Sequence, residues 1–166
     1  MTLASCDSRK TAGENPFFTE WDTPHGVPPF DKILPEHFMP AFERGMSLHE
    51  AEIDAITSNK DEATFEVTLL ADDNAGQMLA QTELVFGMLC AAETNDRMQA
   101  LQEQAMPLLA AHRDKIRLDD KLFVRVKEVY DRRAALGLDA EQMRLLQKTY
   151  DSFVRAGALL DAEQKA

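Results

Sequence analysis

The sequence predicts an all-α protein, a multi-helix antiparallel bundle-like array preceded by a proline-rich extended arm. Three observations carry that prediction. From Phe38 onward, apolar residues recur at spacings of three, four and seven. Long alternating runs bounded by turn residues are nearly absent, and valines fall singly inside helical patterns. Near the end, Gly137 is placed to stop one helix, and Leu138-Asp139-Ala140-Glu141-Gln142-Met143 reads as the capping box of the next.

Residues 1–14 are small and polar, include Gly13, and predict a flexible tail. Between Asn15 and Pro35 stand Pro16, Pro24, Pro28, Pro29 and Pro35, interleaved with Phe17, Phe18, Trp21 and Phe30. That many prolines forbid a continuous helix, while the aromatics supply apolar area worth burying. An extended arm lying across a helical body satisfies both.

The first helix follows, with Phe38, Phe42, Met46, Ile53 and Ile56 on one stripe and Glu43, Arg44, Glu50 and Asp54 elsewhere, ending near Ser58-Asn59. Pro40 lies in its first turns. Thr64 is placed to cap a second helix, with Phe65, Leu69, Leu79, Phe86 and Leu89 as its buried face. Asp72-Asp73-Asn74-Ala75-Gly76 interrupts that stripe as a solvated bend, so one kinked helix and two separate helices both fit. Thr94-Asn95-Asp96 offers the next cap, before Met98, Leu101, Ala105, Leu108, His112 and Ile116, with a bend expected at Pro107. Asp119 or Asp120 caps a helix with Leu122, Val126, Val129 and Tyr130 inward. After the capping box of Asp139 and Gln142, with Leu138 and Met143 as its hydrophobic staple, Leu146, Tyr150 and Phe153 continue the pattern to Arg155-Ala156-Gly157. Ala158 to Ala166 are strong helix formers without a stop signal, as expected of a chain that ends inside an element. Residues 15–166 thus read as one helical domain, and no repeat of fixed period is evident.

The chain carries 29 acidic and 18 basic residues, a formal charge of -11. That balance repels phosphate backbones and anionic lipid surfaces, so nucleic acid is not an expected partner. Arg132-Arg133 sits at a predicted helix end, where cations complement the dipole. No stretch approaches the ~20 apolar residues of a membrane helix. Leu3-Ala4-Ser5-Cys6 has the form of a bacterial lipobox, without the charged and apolar regions of a signal peptide before it. Two readings of Cys6 follow: a lipidated residue at the cell envelope or in the periplasm, or a chance match in a cytoplasmic chain. Cys90 stands in an apolar run, where a buried, inert thiol is expected.

No residue qualifies as catalytic, cofactor-binding or metal-ligating from the sequence. His25, His37, His49 and His112 are not paired at metal-ligand spacing. His49-Glu50-Ala51-Glu52-Ile53 approaches a zinc helix, which needs two histidines at i and i+4 and a glutamate after the first to activate water. Ile53 occupies the second ligand position and fits the core stripe instead. His37 reads as a helix-start residue, His25 as a turn residue and His112 as a structural histidine. Phosphate loops, nucleophile elbows, Cys-x-x-Cys pairs and calcium loops are not found.

Several segments in order resemble the amino-terminal region of bacterial peptidyl-dipeptidases (dipeptidyl carboxypeptidases) of the thimet-oligopeptidase-like family. They are Asn15-Pro16-Phe17-Phe18, Pro28-Pro29-Phe30-Asp31-Lys32-Ile33, Glu36-His37-Phe38 with Pro40-Ala41-Phe42-Glu43, and Thr64-Phe65-Glu66-Val67-Thr68. Further on come Thr94-Asn95-Asp96, Leu122-Phe123 with Arg125-Val126, Leu136-Gly137-Leu138 and Phe153-Val154-Arg155-Ala156-Gly157-Ala158. Val67 departs from the family, which usually has Asn there, and the departure bears on local stability. The resemblance implies a longer polypeptide whose carboxy-terminal catalytic domain carries a His-Glu-x-x-His zinc helix and a further Glu ligand. It implies two helical halves around a channel that admits short peptides, and release of carboxy-terminal dipeptides. No catalytic residue of that family has a matching position in this chain, so the implied role here is a wall of the channel's housing. A reading of another class is a stand-alone helical interaction module, lipid-anchored through Cys6.

Overall fold

The arm's prolines act locally as their fixed φ dictates. In the computed structural model, which describes residues 15–92 and 95–160, Pro16, Pro24 and Pro35 each open a short 3-10 turn: Pro16–Phe18, Pro24–Gly26 and Pro35–His37. At a first helical position the missing N–H is one that would have no partner anyway. The arm is therefore extended backbone punctuated by three turns. Asn15 Nδ2 donates to the His37 carbonyl at 2.8 Å, and Trp21 Nε1 donates to the Pro16 carbonyl at 2.8 Å. The first bond ties the arm to the start of the first long helix, where the Phe17 ring lies 5.3 Å from Phe38, and the second folds the arm on itself.

That helix, α1 (Phe38–Ser58), buries Phe38, Ala41, Phe42, Gly45, Ile53 and Ile56, as its stripe predicts. Pro40, its third residue, occupies another position without an intrahelical N–H partner. Thr64 accepts from the Val67 N–H at 3.3 Å and starts a π-helical stretch, Phe65–Leu70, that runs into α2 (Ala71–Asn74). Gly76, at φ +72°, then turns the chain into α3 (Gln77–Ala92). Of the two arrangements open to the second stripe, the separated helices form, because Ala75 and Gly76 leave helical geometry.

Helix α4 (Asp96–Arg117) is capped by Asn95, whose side chain accepts from the Met98 N–H at 3.0 Å. It runs on through Pro107, which is exposed. Its buried residues include Met98, Ala105, Leu109, His112 and Ile116. Leu108 is 45% exposed, against expectation, because at 3.6 residues per turn Leu109 lies nearer the centre of the stripe. Asp119 caps α5 (Asp120–Arg132), and Gly137 follows at φ +64°. Asp139 and Gln142 form the reciprocal capping box of α6 (Ala140–Arg155). The expected continuation beyond Gly157 as helix is not seen at Ala158–Leu160, which form a turn after Gly157 adopts φ +98°; 161–166 lie outside the described residues, as do Thr94 and the 1–14 tail.

Packing divides the interior into two apolar cores. The first joins Phe17, Phe38, Phe42, Leu79, Phe86 and Leu109, an aromatic cluster in which Phe86 lies 5.0 Å from Phe38 and 5.4 Å from Phe42. The second joins Ile53, Phe65, Ile116, Leu122, Leu146 and Phe153. Helices α1 and α4 run through both. Among the described residues there is no strand, and no helix is long and apolar enough to cross a membrane.

Candidate functional site

Where the two cores meet, α1 and α4 each present a histidine in place of an apolar residue. His49 and His112 are 63 positions apart, yet His49 Nδ1 lies 3.0 Å from His112 Nε2. His112 is only 5% exposed. Its Nδ1 faces Glu50 Oε1 at 3.5 Å, and the other oxygen of Glu50 meets Lys115 Nζ at 2.8 Å. The turn before α3 closes the seam: the Gly76 N–H donates to Glu52 at 2.7 Å. A Cβ on Gly76 would sit 3.0 Å from the His49 ring. Asp72 and Arg117 complete the cluster at 3.6 Å, and the Arg117 guanidinium stands 5.2 Å above the Phe153 ring.

Burial, then the neighbouring His112 and Arg117, hold the His49 pKa below its ordinary value, against an opposing pull from Glu52 and Glu50. The hydrogen bond from Lys115 lowers the Glu50 pKa. Burial raises the Asp72 pKa, and Arg117 opposes the rise. The arrangement that satisfies these groups has a neutral His49 donating its Nδ1–H to His112 Nε2, while His112 Nδ1–H faces Glu50. In that arrangement one proton lies between the two imidazoles, and the seam locks three segments together.

The residues singled out from sequence are distributed as follows. Ile53 is a core residue, 2% exposed, so the His49-Glu50 sequence lacks a second ligand one turn on. Among the described residues no group of three or more His, Cys, Asp or Glu is placed to hold a metal ion. His37 is a helix-start residue whose Nδ1 accepts from the Leu34 N–H at 3.1 Å. His25 sits in a turn at φ +61°. Asp72 differs from the expected solvated bend: its side chain is 7% exposed because it turns inward to Arg117, while Asp73 and Asn74 face solvent. Cys90 is half-buried rather than buried, and that burial pushes its thiol pKa up. Arg132 pairs with Glu62 and the Ala63 carbonyl, and Arg133 lies 4.0 Å over the Tyr130 ring, so both are taken up inside the fold. Cys6 lies outside the described residues.

Pairing of the histidines was not legible in the sequence, because it depends on how α1 crosses α4; the one local signal was that both interrupt otherwise apolar stripes. A second feature also emerges only in three dimensions. A groove of about 660 Å³ lies between the arm, at Phe17 and Trp21, and the side of α3 at Met78, Gln81 and Leu84.

No protein-family model matches the chain. It is 41% identical over 152 residues to a dipeptidyl carboxypeptidase of Escherichia coli and 40% identical over 152 residues to one of Salmonella typhimurium. Each match takes in 92% of this chain and 22% of the relative, so the chain spans about a fifth of the length of these proteins. Oligopeptidase A of Escherichia coli is 23% identical over 150 residues, which take in 86% of this chain and 21% of that protein. Over 92% of its length the chain is thus similar to part of the bacterial dipeptidyl carboxypeptidases, the family that its ordered motifs resemble.

Proposed function

We propose that residues 15–166 are the amino-terminal helical domain of a zinc metallopeptidase that releases carboxy-terminal dipeptides from short peptides. In this reading the domain forms part of the housing of the substrate channel and supplies no catalytic residue. The observation that supports it is the 41% identity over 152 residues to a protein named dipeptidyl carboxypeptidase, of which the matched segment is 22%. The residues of this chain do not fit a zinc helix, since His49 faces His112 and Ile53 is buried in the core. Zinc and its ligands are therefore assigned to the catalytic domain of the longer polypeptide, the partner of this one. Short peptides, not nucleic acid, are the ligands that suit a chain of net charge -11 in this role.

The test is to follow the reading frame from the genome and purify its product. The expected result is a longer protein carrying His-Glu-x-x-His that releases dipeptides from a blocked tripeptide and stops when chelated, while the 166-residue chain does not cleave. Cleavage by the 166-residue chain alone, zinc-loaded and abolished by chelators, would overturn the assignment. Cys6 is tested separately by fatty-acid labelling: label lost in Cys6→Ser supports an envelope anchor, and an unlabelled chain removes that reading.

A further inference from the structure

We infer that the outward face of α3 is a docking surface for an apolar helix from the part of the longer polypeptide that this chain does not cover. The inference rests on the proposed function for the existence of that polypeptide. One side of α3 is buried through Leu79, Thr82, Val85 and Phe86. The opposite side presents Ala80, Leu84, Gly87, Met88 and Ala91, with Leu84 65% and Met88 48% exposed. At 3.6 residues per turn, with Gln77 and Gln81 included, this face is an arc of roughly a third of the circumference without one charge. The outward faces of the other long helices are charged, as at Glu43, Arg44 and Asp54 on α1, Lys121, Glu128 and Asp131 on α5, and Glu141, Arg144 and Lys148 on α6. The charged residue of α3, Glu83, lies beside this arc and is tied to Arg113 of α4 at 3.3 Å; a helix with apolar residues on both its inner and outer faces is one suited to being covered on both sides.

The two glycines of the helical body sharpen the point. Gly45 is required by a neighbour within the fold: a Cβ there would meet the Leu79 Cα at 3.0 Å, where α1 and α3 touch. Gly87 lies mid-helix, the least favoured residue for that place apart from proline, and a Cβ there would meet nothing within 4 Å. Nothing described in this chain requires it. A second backbone approaching α3 would, and interaxial distance shrinks with the side chains at the contact. The uncharged face also leads directly into the groove beside Trp21, whose α3 wall includes Leu84.

Two observations and one general principle select the occupant. The matched segment is 22% of each dipeptidyl carboxypeptidase, so most of such a polypeptide lies elsewhere. A tethered segment meets this face at high effective concentration. A second copy would bring another -11 charges toward the first, which disfavours self-association.

The experiment places Leu84→Glu and Gly87→Gln, separately, in the 166-residue chain and in the longer polypeptide. In the 166-residue chain Leu84→Glu leaves the melting temperature unchanged and Gly87→Gln raises it, because both positions face solvent. In the longer polypeptide both lower it and accelerate tryptic cleavage between the domains by about tenfold or more, the factor that an order of magnitude in the open population gives. Variants as resistant as the parent in the longer polypeptide overturn the docking. So does sedimentation showing that the 166-residue chain is a dimer split by Leu84→Glu. Dipeptide release without the cleavage effect sinks the docking alone; the cleavage effect without dipeptide release sinks the peptidase reading alone; a frame that ends at Ala166 sinks both.

Discussion

The 3.0 Å contact between His49 Nδ1 and His112 Nε2 has room for one proton, and adding a second sets two N–H groups face to face. Because burial and His112 lower the His49 pKa in the folded state, the unfolded chain binds the extra proton first. The stabilisation is therefore complete above about pH 6.5, the ordinary histidine value, and is lost as pH falls through it toward the lower folded value. Melting temperature recorded from about pH 8 to about pH 5 should fall over that window, and His49→Gln should flatten the fall. An unchanged slope in the variant would assign the effect to other groups. Gly45 gives a second prediction at this scale. In an open helix Gly→Ala stabilises by about 1 kcal/mol, but here the added methyl meets the Leu79 backbone, which cannot rotate away. Gly45→Ala should cost about 1–3 kcal/mol in urea unfolding, with the opposite sign to the same change at Gly87.

At the scale of elements, the helix starts are set by short-range chemistry and were legible for that reason. Asn95, Asp119 and Asp139 each accept from an N–H three residues on, a relation contained within four residues of sequence. Replacing Asp139 by Ala should destabilise by about 1 kcal/mol in a urea titration, while Ser should retain most of the cap. Other local features were less legible. Both Leu108 and Leu109 fit helical spacing, and only the fold shows which one faces Met98 and Ala105. Asp72 read as surface because its partner Arg117 is 45 positions away on another helix. The π-helical stretch at Phe65–Leu70 has no compositional signature, since it depends on where Phe65 and Leu69 must reach in the second core.

For the whole molecule, the all-α class and the arm followed from periodicity and proline count, whereas the division into two cores did not. That division depends on α1 and α4 each serving both sides, which no single stripe reveals. The net charge of -11 belongs to this scale too, as self-repulsion that the folded state concentrates. Raising ionic strength from about 0.01 M to about 0.15 M shortens the screening length from about 30 Å to about 8 Å, so the melting temperature should rise. A fall would mean that exposed ion pairs such as Arg97–Glu36 outweigh the repulsion.

The two cores also differ in when their residues are made. Every buried residue of the first core stands at or before Leu109, whereas the second waits for Leu146 and Phe153. At roughly 5–20 residues per second of synthesis, the arm, α1, α3 and most of α4 leave the ribosome a few seconds before α6 does. During that interval the far ends of α1 and α4 hold Ile53, Ile56 and Ile116 ready on a finished half, and the α5–α6 hairpin arrives last to cover them.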